Sequence, residues 1–190
     1  MNKRYWEERY LNNETAWDVG CITTPLKNYI DQIENKDLKI LIPGAGNSYE
    51  FDYLIAEGFK NVFVIDIAKQ PLENIKKRNP YFEKHLIHND FFELNETFDL
   101  VIEQTFFCAL NPELRNKYVK KMNEIIKPKG KIAGLLFNFP LTEVGPPFGG
   151  NFDEYVNLFS EYFSIKTFEK SYNSIFQRKD KELFFIFEKN

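Results

Sequence analysis

The sequence predicts an open α/β fold, a mostly parallel sheet of seven strands with helices on both faces. Three observations carry that expectation. Short apolar runs alternate with helical patterns along the chain, the mark of parallel strands joined by crossover helices. The first run, 39–42, breaks at Pro43-Gly44-Ala45-Gly46 before a helical segment. Glycines there let the backbone turn sharply and approach a ligand. The second run ends on an acid, Asp66, at the strand end where open sheets bind ligands.

The elements follow in order. Thr24-Pro25 reads as a cap followed by proline at the first helical position. Leu26, Tyr29, Ile30 and Ile33 then share one helical face, predicting a helix to about Glu34. After the first strand, Ser48 is placed to cap a helix carrying Phe51, Leu54 and Ile55 that stops near Gly58. Residues 62–65 form the second strand and 69–78 a helix. Residues 85–88 make a short third strand running into Asn89-Asp90, and 98–103 a fourth. Asn111-Pro112 caps a helix with Leu114, Tyr118, Met122 and Ile125 on one face, which Pro128 and Gly130 end. Residues 131–137 are the fifth strand, and Phe152, Tyr155, Val156 and Phe159 mark a further helix. Strands at about 164–169 and 183–188 close the chain as an antiparallel hairpin at the sheet edge.

A chain of 190 residues, 43% apolar, suits one domain spanning 1–190 with a sizeable core. Aromatics make up 17%, and most of the 20 Phe and 10 Tyr must be core. A net charge of −3 argues against a nucleic-acid partner, which leaves a basic footprint. Cys21 and Cys108 form no metal-ligand spacing and read as reduced thiols of a cytoplasmic protein. The start, MNKRYWEERY, has no apolar signal core, and no apolar run is long enough to span a bilayer. The expected partner is therefore a small molecule, and the chain is expected to act as a monomer without a metal.

The Gly44-Ala45-Gly46 turn and Asp66 together point to a nucleoside cofactor, since a strand-end carboxylate accepts ribose hydroxyls. They do not separate NAD from S-adenosylmethionine; the third glycine of the dinucleotide pattern is replaced by Tyr49. Asp90 is placed to take an adenine amino group with Phe91 against the ring. Glu103, at the end of the fourth strand, is placed either to hold an ammonium or simply to face water.

Several short segments then occur together in order: Trp6-Glu7-Glu8-Arg9-Tyr10, Thr15-Ala16-Trp17-Asp18-Val19-Gly20, Ile42-Pro43-Gly44-Ala45-Gly46, Phe98-Asp99-Leu100-Val101, Thr105-Phe106-Phe107-Cys108-Ala109-Leu110, Lys127-Pro128-Lys129-Gly130 and Gly145-Pro146-Pro147-Phe148. In these the chain resembles the thiopurine S-methyltransferase family, and within it the halide/thiol methyltransferase branch. The resemblance implies a Rossmann-like class I methyltransferase fold whose last strand is antiparallel. It implies S-adenosylmethionine contacts from Trp6, Tyr10, Trp17, Gly44, Ala45, Gly46, Asp66 with Ile67, Asp90 with Phe91, and Glu103. Three positions depart from the family's habit: Tyr10 where Trp is frequent, Glu103 where Asp is frequent, and Val144-Gly145 where two glycines often precede the double proline. The third falls in what the resemblance implies is the acceptor loop and bears on substrate identity.

A sulfonium methyl is already activated, so transfer needs mainly positioning and desolvation of the nucleophile. A thiolate or halide brings its own reactivity, and the sequence shows no convincing general base; His85 and His88 read as structural. Phe106, Phe107 and Phe148 are candidate walls of the acceptor pocket, with core packing as the alternative for each. Trp6, Tyr10 and Trp17 lie outside the sheet pattern. Residues 1–35 therefore read as a lid and helix over the cofactor, where aromatic faces favour a cation. Cys108, inside an apolar run, reads as an inert buried thiol. Two other readings compete, an NAD-dependent oxidoreductase and a non-catalytic nucleoside-binding module.

Overall fold

The computed structural model describes residues 1–190. The chain gathers into two compact units, residues 1–94 and 95–190. Its seven strands run in the sheet order β3-β2-β1-β4-β5-β7-β6, with β7 antiparallel to both of its neighbours.

The first unit contains α1 (Lys3–Leu11), α2 (Thr24–Ile30), β1 (Ile40–Pro43), α3 (Tyr49–Ala56), β2 (Val62–Asp66), α4 (Lys69–Arg78) and β3 (Leu86–His88). All four residues of β1 are buried, as a continuous apolar run covered on both faces should be. It pairs in parallel with β2, and β2 with β3. Phe51 and Leu54 of α3 and Leu72 and Ile75 of α4 supply the apolar stripes. The end of α3 is a Schellman motif. Phe59 N donates to Leu54 O and Gly58 N to Ile55 O, with Gly58 at φ +88°.

Two expectations fail here. The helix α2 stops at Ile30 rather than Glu34, and its cap position is Thr23. Leu26 and Ile30 are fully buried, but Asp31 and Gln32 beyond them face solvent and Ile33 is only half-buried, so little apolar surface holds another turn. Ser48 stands at the cap of α3 without capping it. Its backbone is left-handed, at φ 49°, and its side chain makes no cap hydrogen bond.

The second unit contains β4 (Phe98–Gln104), α5 (Arg115–Ile125), β5 (Ile126–Phe137), α6 (Phe152–Phe159), β6 (Phe163–Lys170) and β7 (Glu182–Lys189). Its core is a cluster of rings: Phe107 against Tyr118 at 5.0 Å, Phe159 against Phe187 at 5.0 Å, and Phe185 against Phe187 at 4.7 Å between centroids. These distances suit offset and edge-to-face packing, and they show where much of the aromatic content goes. Gly134 is needed for close approach: a Cβ there would lie 1.9 Å from the Glu103 carbonyl oxygen of β4.

Asn111 caps only a short 3-10 turn, Pro112–Leu114, by accepting from Glu113 N. The helix starts at Arg115 and is already over at Ile125, before Pro128 and Gly130. Those two residues lie in the irregular first half of β5, where pairing with β4 shifts register and Lys129 has φ 63°. The closing strands do pair antiparallel, but β6 and β7 are joined by residues 171–181 rather than by a tight turn.

Candidate functional site

In the first unit the predicted residues gather at the carboxyl ends of β1 and β2. Gly44 and Gly46 have φ of 69° and 52°, so the turn needs residues that tolerate left-handed backbone. A Cβ on Gly46 would meet only Trp17 Nε1, at 3.9 Å, which leaves the turn's backbone open beside an indole. The Asp66 carboxylate is pushed up to about 6 by burial, against the opposing pull of the Ala68, Ala45, Gly46 and Ile67 amides. Ala68 N donates to Asp66 Oδ1 at 2.7 Å. This partly desolvated acid therefore sits against the glycine turn and gains from any further hydroxyl donor. The Tyr10 phenol is pushed up by burial and then by the Asp66 charge, so Tyr10 lies beside that acid.

The N-terminal aromatics form a chain of edge-to-face contacts: Trp6 to Trp17 at 5.6 Å and Tyr10 to Trp17 at 5.7 Å. No residue of α1 is buried. Asp18, to which the sequence reading gave no role, ties this segment to the turn after β1. It accepts from Asn47 Nδ2 and from the Tyr49 hydroxyl, while its other oxygen accepts from Gly20 N.

The β2 and β3 ends are linked, since Asn89 N donates to Asp66 O at 3.2 Å and His88 Nε2 lies 3.2 Å from Ile67 O. Asp90 Oδ1 accepts from Phe92 N, which leaves its other oxygen for a ligand. Phe91 is buried, so its ring belongs chiefly to the core. His85 stacks on Phe63 with Nδ1 at 2.9 Å from Val62 O, a structural arrangement.

In the second unit Glu103 is not at an open rim. It is fully buried. Its Oε1 accepts from Phe106 N at 2.9 Å and Phe107 N at 3.0 Å, and its Oε2 from the Tyr118 hydroxyl at 2.5 Å. Burial, opposed by those three bonds, raises its carboxyl to about 7. The side chain fixes the turn after β4 instead of presenting a free carboxylate to a cofactor ammonium. Thr105, at φ 62°, is the strained residue of that turn.

The candidate acceptor walls divide. Phe107 is a core ring with Tyr118, Tyr155 and the Arg115 guanidinium around it, and Phe148 is buried as well. Phe106 alone of the three is partly open. Arg115 is buried, donating to Gly149 O at 2.6 Å and pairing with Glu154, so it braces the loop that carries Phe148. The small cavity of this unit, with room for about one water-sized molecule, is lined by Thr105, Cys108, Leu135, Leu136, Phe137 and Glu182. The sequence reading singled out none of these as pocket residues. The Cys108 thiol is pushed well up by burial and by the Glu103 charge, which keeps it un-ionised and unreactive.

The thiopurine S-methyltransferase family model matches residues 1–189. Among similar proteins, the probable thiol methyltransferase 2 of Arabidopsis thaliana is 30% identical over 158 residues, covering 79% of this chain and 69% of that one. Thiocyanate methyltransferase 1 of Brassica oleracea is 29% identical over 188 residues, covering 93% and 81%. Among solved structures, the 1,6-didemethyltoxoflavin-N1-methyltransferase of Burkholderia thailandensis with S-adenosylhomocysteine superposes with a TM-score of 0.79 at 14% identity, covering 99% of this chain and 87% of that chain. At that identity the likeness establishes the fold. No helix is long and apolar enough to cross a membrane.

Proposed function

The chain belongs to the thiopurine S-methyltransferase family, and on that premise we propose that its acceptor is a small soft nucleophile, a thiol or thiolate or a halide. It is an S-adenosylmethionine-dependent methyltransferase, and neither an oxidoreductase nor a non-catalytic module is favoured. The observation that carries the acceptor reading is the apolar turn after β4, where Phe106 is partly open beside the buried Phe107 and the un-ionised Cys108. Such surroundings strip water from a polarisable nucleophile and offer no free base to an alcohol or amine. The relatives named for thiol and thiocyanate support the same class.

The cofactor, when bound, supplies an activated methyl on a sulfonium. In this reading Asp66 accepts the ribose hydroxyls, Gly44, Ala45 and Gly46 bring backbone against the cofactor, and the free oxygen of Asp90 takes the adenine amino group. Trp6, Tyr10 and Trp17 cover it as a lid, all within one methyltransferase domain of the whole chain. Free Cys21 and Cys108 fit a cytoplasmic setting. Labelled cofactor offered with a small thiol, hydrosulfide, thiocyanate, iodide, a thiopurine, an alcohol and an amine tests the acceptor. Transfer to the sulfur or halide acceptors is expected. Transfer confined to oxygen or nitrogen would refute the reading.

The lid carries its own expected result. With no buried residue in α1 and anchorage through Asp18 and the Tyr10 and Trp17 rings, the segment 5–20 should exchange its amide hydrogens quickly in the free protein. Added S-adenosylhomocysteine should slow exchange there, ordering by a ligand being a common switching mode. Equal protection in both states would make the segment ordinary core.

A further inference from the structure

We propose that Asp18 is a positioning residue for the cofactor, locking the turn after β1 into shape as the lid closes and so setting how long the cofactor stays bound. The inference rests on the reading of residues 5–20 as a lid and deepens it. Every group it uses lies in the first unit.

The turn is held largely from outside. Gly44, Gly46 and Ser48 have φ of 69°, 52° and 49°, and left-handed backbone at a serine is strained. Ser48 Oγ is buried without a hydrogen-bond partner, so the side chain at the cap of α3 gives the turn no support. Residues 45 and 46 lean on the Asp66 carboxylate through their amides. Residues 47–49 beyond them have two other restraints. Arg78, at the end of α4, donates through Nη2 to Asn47 O and through Nε to Asp52 Oδ2 at 2.8 Å. Asp18 Oδ2 accepts from Asn47 Nδ2 and, at 3.3 Å, from the Tyr49 hydroxyl.

These two restraints differ in what carries them. Arg78 belongs to a helix packed by Leu72 and Ile75, whereas Asp18 belongs to the lid. Its Oδ1 accepts from Gly20 N at 2.8 Å and its own amide donates to Thr15 O at 2.9 Å, so the local loop aims the carboxylate. Trp17, its neighbour in the chain, has Nε1 3.9 Å from where a Cβ on Gly46 would stand. A half-buried carboxylate with three donors is a strong fastener, and it joins lid and turn. When the lid opens, Asn47 and Tyr49 lose their acceptor. The turn then relaxes from the shape that puts its backbone against the cofactor. Opening of the lid and loosening of the cofactor are one event, and its cost falls on dissociation.

The test follows S-adenosylhomocysteine binding by stopped flow. Both tryptophans of the chain, Trp6 and Trp17, lie in the lid, so their fluorescence reports its closing. The concentration dependence of the rate separates association from dissociation. Asp18→Ala is expected to speed dissociation about tenfold, since two bonds to a charged acceptor are lost from the turn, while association changes less than about threefold. A variant that is merely less stable would lose amplitude and keep the rate. Tyr49→Phe deletes one hydroxyl donor. It should speed dissociation about two- to threefold in the wild type and add nothing beside Asp18→Ala. A dissociation rate for Asp18→Ala within about twofold of the wild type, or a Tyr49→Phe effect that is equal in both backgrounds, would overturn the proposal. If the alanine variant does not fold, Tyr49→Phe alone decides, and an unchanged rate overturns it. A wild-type protein that binds the ligand by calorimetry without slower amide exchange in 5–20 would refute the lid reading itself, and this inference would fall with it.

Discussion

Glu103→Ala is expected to lower the unfolding free energy by about 3–5 kcal/mol, read from the urea midpoint at pH 5. The carboxyl group, protonated in the folded chain at this pH, accepts from the amides of Phe106 and Phe107 and from the Tyr118 hydroxyl. Phe107 and Tyr118 are buried, so water does not readily replace what alanine removes. Each orphaned buried donor costs about 1–3 kcal/mol, and the vacated space adds a cavity term. A loss below about 1 kcal/mol would show that the turn after β4 does not depend on this residue.

The same group sets a pH dependence whose sign is fixed by its environment. Burial raises the Glu103 carboxyl from 4.5 to about 7. Between those values the folded chain binds a proton that the unfolded chain releases, so stability falls as pH rises through the window. The shift corresponds to a loss on the order of 3 kcal/mol, complete somewhat above pH 7. Asp66, raised from 3.8 to about 6, acts in the same direction in the free protein. Glu103→Gln keeps an oxygen for the two amides and has no charge to bury. Subtracting its stability curve from that of the wild type should leave a limb between about pH 4.5 and 7. A flat difference would assign the limb elsewhere.

What the sequence made legible, and what it hid, follows from the range of the forces involved. The strands, the glycine turn and Asp66 are local: an apolar run, a residue that permits positive φ, an acid at a strand end. Ser48 misled because its residue type favours capping, whereas its left-handed backbone is a feature of the turn as a whole. The early start of β5 depends on register against β4, which residues 126–130 do not encode alone.

Glu103 was ambiguous for a related reason. Residues 100–103 are all buried, so alternation along the strand gives no sign that one side chain points to water. The cavity was invisible because Thr105, Cys108, residues 135–137 and Glu182 are far apart in sequence and meet only in the folded chain. Arg178 and Glu182 are four apart in sequence but outside any α-helix, so helical spacing gave no hint of their pairing.

Asp66→Ala is expected to weaken S-adenosylhomocysteine binding by about 1–3 kcal/mol, roughly 5- to 150-fold in Kd by calorimetry at pH 8. The charged oxygen that would accept ribose hydroxyls is lost, while the glycine turn and Asp90 remain. Alanine also removes the acceptor of the Ala68 amide, 2.7 Å away, so the urea midpoint of the variant is measured beside its affinity and binding is compared on folded protein. A pH series adds an independent check. Hydroxyl donors favour the ionised carboxylate, so the ligand binds the charged form better. Wild-type affinity should therefore decline as pH falls through about 6, where Asp66 takes up its proton. In Asp66→Ala that acid limb should vanish, leaving a uniformly weak affinity. If the variant binds as tightly as the wild type, or keeps the same acid limb, the ribose is held by another group and the assignment of this strand-end acid is wrong.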